Sequence, residues 1–111
     1  MKNLMIVLTL LVSSVSFAQL HNNSAPCESE ALAFYEEKGQ PSDQPKEITH
    51  SHVQTGGLPL YDTHHRELKT YPTDTVIYVG AGSYHSGYFQ DLIVVDLATC
   101  QGLDIYNIYS E

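Results

Sequence analysis

Apolar and polar positions follow three different rhythms along the chain. From Leu4 to Val12 the residues are almost continuously apolar, interrupted only by Thr9. From Glu28 to Lys38 the rhythm is helical. Cys27, Ala31, Phe34 and Tyr35 fall near one face, with acids in the first turn, Lys38 in the last, and Gly39 as a stop. The last third reads as strands. Thr75 to Val79 is β-branched, Tyr88 to Leu97 centres on Ile93-Val94-Val95, and Leu103 to Tyr109 closes the series. The stretch Gly80-Ala81-Gly82-Ser83 with Ser86-Gly87 reads as a turn, and Thr99 to Gly102 as another. The middle is weaker. Gly39 to Lys46 reads as a loop, Glu47 to Thr55 as a strand ended by Gly56-Gly57, Leu58 to Tyr61 as a short extended piece, and Thr63 to Leu68 as a helical turn. The expected fold is α+β: an N-terminal helix packed on a small antiparallel sheet, a three-stranded meander.

The first apolar run is preceded by Lys2 and followed by Ser16-Phe17-Ala18, with small residues where a signal peptidase reads. It is about half the roughly 20 residues needed to span a bilayer. Residues 1–18 are therefore expected to be a cleaved signal peptide, 19–26 a flexible leader, and 27–111 a single domain in the periplasm or outside the cell.

Two cysteines, Cys27 and Cys100, lie near the two ends of that domain. In an oxidising compartment they are expected to pair. The bridge would fasten the helix start to the corner between the last two strands. In the chain-entropy model, closing so long a loop is worth about 4 kcal/mol.

Charge narrows the partners. The chain has 13 Asp+Glu against 5 Lys+Arg. An acidic surface disfavours nucleic acid and anionic membrane, and it speeds encounter with a basic protein.

The stretches Pro26-Cys27-Glu28 and Val94 to Gly102, followed by Tyr106, resemble the YebF and colicin M immunity protein family. Its members are small exported proteins with a cysteine before an N-terminal helix, an antiparallel sheet and a second cysteine near the end. The resemblance covers the two ends of the chain and leaves residues 40–74 unmatched. It implies a fold and a role, binding and neutralising a toxin aimed at the cell envelope, and it carries over no individual residue.

Candidate chemistry is sparse. His50 and His52 are two apart and would share a strand face; His64 and His65 follow Asp62. Together they form a second reading, a zinc or copper site, although no spacing matches a defined zinc motif. Ser83, His85 and Ser86 lack a nucleophile elbow. Gly80-Ala81-Gly82 is followed by no helix, as a dinucleotide site requires. Glu36 and Glu37, adjacent on a helix, point apart. The expected activity is binding, not catalysis. There are 8 tyrosines and no Trp, and tyrosine is enriched at protein interfaces. The expected contact surface is Tyr84, His85 and Tyr88 in the Gly80–Tyr88 turn, with Tyr61, Asp62 and the acidic helix end Glu36 and Glu37. The expected partner is a basic toxin or cell-wall hydrolase, and a homodimer stays open.

Overall fold

The computed structural model describes residues 25–111. The signal peptide and most of the leader expected from the sequence lie outside the described residues. One helix, α1 (Glu28–Lys38), precedes six strands: β1 (Glu47–Gln54), β2 (Pro59–Tyr61), β3 (Glu67–Thr70), β4 (Thr75–Tyr84), β5 (Gly87–Asp96) and β6 (Gly102–Ser110). Strands β1, β4, β5 and β6 form an antiparallel sheet in the order β1-β4-β5-β6, and β2 pairs with β3. The expected meander is therefore β4-β5-β6, with β1 added on the outer side of β4. The fold is α+β, one helix packed on a small antiparallel sheet and fastened by a Cys27–Cys100 disulfide. No helix among the described residues is long and apolar enough to cross a membrane.

The helix forms where its local signals place it. The N–H of Gly39 closes it on the carbonyl of Tyr35 at 2.9 Å. Ala31 and Tyr35, four residues apart, are buried against the sheet. They join Val76, Tyr78, Phe89, Ile93 and Val95 in one core. Cys27 and Cys100 both adopt left-handed backbone conformations, φ 59° and 60°. Before the helix, Ala25 already packs on this core, and the Tyr78 hydroxyl donates to the Pro26 carbonyl at 2.7 Å. The end of the expected flexible leader is thus held against the sheet.

Three polar contacts tie α1 down. The Tyr35 hydroxyl donates to buried Asp91 at 2.7 Å, and Asn107 on β6 donates to the other Asp91 oxygen at 3.0 Å. Burial, reinforced by Asp91, pushes the Tyr35 hydroxyl far above its ordinary pKa. Lys46 donates to the Tyr35 carbonyl at 2.9 Å and lies 4.7 Å from the centre of its ring.

The opposite sheet face carries a second core. Leu60 and Tyr71, from the β2–β3 hairpin, pack on Ile77, Leu92, Val94 and Ile108. The Tyr71 hydroxyl donates to Asp104 at 2.6 Å and lies 2.9 Å from the Tyr106 hydroxyl; Lys69 sits 3.5 Å from Asp104.

Two local expectations are corrected. Residues 63–68 form no helical turn: 67–70 are strand β3 and 63–65 are the loop of a hairpin. Inside the hydrogen bond from the Asp62 N–H to the Arg66 carbonyl, 3.0 Å, that loop has three residues, with His65 left-handed at φ 61°, the conformation such hairpin loops require. Nor is Gly80–Ser83 a turn, since β4 runs through it to Tyr84. A Cβ on Gly80 would come within 2.7 Å of Tyr35 Cζ, and one on Gly82 within 2.9 Å of Phe89 Cε2. These glycines make room for two aromatic rings; the reversal itself is the His85-Ser86 pair.

Candidate functional site

The histidines are not brought together. In β1, His50 pairs with Tyr78 while His52 pairs with Ile77, a bulge at Ser51 taking up the extra residue. Tyr78 faces the helix and Ile77 faces the hairpin, so the bulge places the two histidines on opposite faces of the sheet. His50 sets its ring edge-on to Tyr78 at 5.4 Å. His52 hydrogen-bonds Ser51 at 2.8 Å and Gln54 at 3.0 Å. His64 and His65 belong to the β2–β3 loop. Among the described residues no group of three or more His, Cys, Asp or Glu side chains is arranged to hold a metal ion. The zinc or copper site is corrected accordingly.

Asp62 is corrected as a surface residue. Its side chain is 1% exposed. One carboxylate oxygen accepts the backbone N–H groups of His64 and Arg66 at 2.8 and 2.9 Å, and the other accepts Arg66 Nε at 2.7 Å. The backbone donor of Arg66, then that of His64 and the guanidinium, hold its pKa below the ordinary 3.8 against desolvation. Asp62 organises the hairpin loop. Its neighbour Tyr61 does face water, at 51% exposure.

Tyr84 and Tyr88 separate as well. Tyr84 lies on the helix side, stacked on Phe89 with ring centres 6.1 Å apart, and its hydroxyl donates to the Glu111 carbonyl. Tyr84, expected in the contact surface, packs instead against the helix-side core. Tyr88 pairs with Ser83 and faces the other side, and His85 stands exposed at the tip between them. Glu36 and Glu37 are exposed at the far end of the helix. The expected single constellation is thus distributed over both faces, and Tyr88 is the member presented on the open part of the four-stranded sheet.

That surface is the half of the hairpin-side face that the hairpin leaves uncovered. Tyr88 on β5 and Tyr109 on β6 are 45% and 41% exposed, their ring centres 5.3 Å apart at 35°. Beside Tyr88 runs a shallow groove of about 220 Å³, walled by Pro45, Glu47 and Ala81. Its outer wall is firm because the loop before β1 continues the sheet ladder. The Asp43 N–H donates to the Ser83 carbonyl at 2.7 Å, and the Ser83 N–H donates to Ser42 Oγ at 2.9 Å. On the other side the Tyr109 hydroxyl donates to the Glu111 carboxylate at 3.0 Å. Hydrogen bonding with Tyr88, then with Glu111, raises the Tyr109 pKa to about 12. Reasoning from sequence missed Tyr109 and Glu47. A register shift between Gln90 and Asp91 brings Tyr109 opposite Gln90, and no residue type marks that shift in the sequence.

No protein-family model, curated protein or solved structure matches the chain. The functional reading therefore rests on the geometry of the molecule.

Proposed function

We propose that this is an exported binding protein of the immunity or inhibitor kind, which neutralises an envelope-targeting toxin or a cell-wall hydrolase in the periplasm by occupying it. The observation that carries the reading is the exposed Tyr88–Tyr109 pair on an open half of a rigid sheet. Large aromatic side chains with polar tips, held by strands and offered to solvent, suit a protein interface. The adjacent groove, about 220 Å³, is smaller than the roughly 300–1,000 Å³ of small-molecule pockets. The disulfide, which joins α1 to the β5–β6 corner, fits a domain that keeps its shape in an oxidising space. The acidic surface favours a basic target. The test is capture from periplasmic extract and against a panel of basic cell-wall hydrolases, followed by enzyme assays. Stoichiometric inhibition of a captured hydrolase or toxin is expected. A captured partner with undiminished activity in the complex would sink the inhibitor reading.

A further inference from the structure

We propose that the open half-face centred on Tyr88 and Tyr109, between Glu47 and Glu111, receives an arginine side chain of the partner, its guanidinium stacked on the tyrosine rings and its charge met by the flanking carboxylates. The assignment rests on the binding reading above and deepens it by naming the group recognised.

Charge on the described surface decides the chemistry. Of 5 Lys and Arg residues, Lys2 lies outside the described residues. The other four are engaged elsewhere. Lys38 lies 3.7 Å from Glu37, Arg66 2.7 Å from Asp62 and Lys69 3.5 Å from Asp104. Lys46 is turned to the helix side, onto Tyr35. Glu47 and Glu111 have no ion-pair partner among the described residues, and Asp43, in the neighbouring loop, has none either. The half-face is thus an aromatic pair edged by unneutralised carboxylates, with no cation of its own among the described residues.

Such a surface fits a cation better than a neutral apolar side chain. The face of a tyrosine ring is electron-rich and attracts cations, and the hydrogen bond from Tyr109 to Glu111 leaves that ring richer still. A guanidinium is planar and less strongly hydrated than an ammonium. It can stack on a ring while its N–H groups reach a carboxylate, which a lysine head group cannot do in the same way. The groove beside Tyr88, with Glu47 in its wall, is of a size for one such head group.

The alternative is that the two tyrosines only stabilise the β5–β6 pairing, as cross-strand aromatic pairs do. A titration separates the two. The probes are a blocked peptide alternating glycine and arginine, its lysine counterpart and its glutamate counterpart, each added to isotope-labelled protein and followed by NMR. The arginine peptide is expected to shift the Tyr88, Tyr109 and Ala81 signals first and to bind more tightly than the lysine peptide; the glutamate peptide should not bind. Tyr88→Leu and Tyr109→Leu should each weaken binding about two- to fivefold, the range of an exposed cation–π contact. Tyr88→Phe should keep it, and Glu47→Gln and Glu111→Gln should weaken it and flatten its salt dependence. Thermal melts of all variants confirm folding. Shifts confined to the Glu36–Glu37 helix end, or equal affinity in Tyr88→Leu and Tyr88→Phe, would overturn the proposal. A hydrolase captured equally well by wild type and the Tyr88→Leu/Tyr109→Leu protein would overturn this surface while leaving the inhibitor reading. Arginine-peptide binding at this face with no hydrolase or toxin inhibited would do the reverse.

Discussion

Removing the disulfide tests how the helix is held. Cys27 and Cys100 are 73 residues apart in sequence, so the chain-entropy model puts the bridge at about 4 kcal/mol. Domains of this size are stable by about 5–15 kcal/mol, so the loss is a large fraction. The backbone adds a second effect. Both cysteines have φ near 60°, a region that costs an L-residue about 1–2 kcal/mol and costs glycine little. Cys27→Ala with Cys100→Ala should therefore lose about 4 kcal/mol. Cys27→Gly with Cys100→Gly should lose about 1–2 kcal/mol less, after allowance for the extra freedom glycine gains in the unfolded chain. Urea unfolding followed by circular dichroism, without reductant, measures both. An Ala pair that loses under about 1 kcal/mol would show that packing of Ala31 and Tyr35 alone secures α1. A Gly pair no better than the Ala pair would show that the left-handed backbone relaxes once the bridge is gone.

Gly80→Ala should cost about 1–3 kcal/mol by overpacking, because its Cβ would meet Tyr35 Cζ at 2.7 Å and Ile93 Cδ1 at 2.8 Å; an unchanged urea midpoint would disprove the close approach. Tyr35→Phe removes a donor from buried Asp91 and should cost about 1.5–3 kcal/mol, the usual worth of a hydrogen bond to a charged group, again read from urea unfolding. Asp62 and Asp96 both titrate below their ordinary 3.8 in the folded protein, Asp62 chiefly through the Arg66 N–H and Asp96 through the Thr99 N–H. Their stabilisation is whole above the unfolded value and drains away as pH falls through the lowered ones. Urea midpoints taken at falling pH should drop less steeply for Asp62→Asn than for wild type, and parallel curves would refute the role given to that carboxylate. Intact-mass measurement of exported protein should find residues 1–18 missing and Gln19, cyclised or not, at the start; a mass that includes Met1 to Ala18 would contradict export by cleavage.

The legible parts of the fold were those with local causes. Acids at Glu28 and Glu30, a base at Lys38 and a stop at Gly39 bounded α1 within its own sequence, and the β-branched runs marked the cores of β4 and β5. The misreadings had distant causes. Gly80 and Gly82 look like turn residues, yet their lack of a side chain answers to rings at Tyr35 and Phe89. The hairpin loop at 63–65 carries His65 where glycine or asparagine would have announced a left-handed residue. The bulge at Ser51 separates His50 from His52, and a register shift leaves no composition behind it. The same limit shaped the candidate surface. Tyr88 was found because it sits beside a turn. Tyr109 was missed because only pairing across β5 and β6 brings it alongside. Asp62 and Tyr84 looked free because their partners, Arg66 and Phe89, are engaged only once the chain has folded.

The pairing of Cys27 with Cys100 also sets a timetable for assembly. Synthesis delivers α1 early, but most of the sheet it packs on, and the second half of its covalent fastening, comes late. The core beneath Ala31 and Tyr35 draws on Val76, Phe89, Ile93 and Val95, so the first half of the chain, which brings Ile48 to that core, leaves most of the apolar stripe unsheltered. Contacts between residues so far apart in sequence make for slow folding. Until β4 and β5 have emerged, the helix segment is an unsheltered apolar surface on an incomplete chain, the condition under which binding by a chaperone competes with self-association. The order of the elements thus makes the earliest-built part of the molecule the last to be secured.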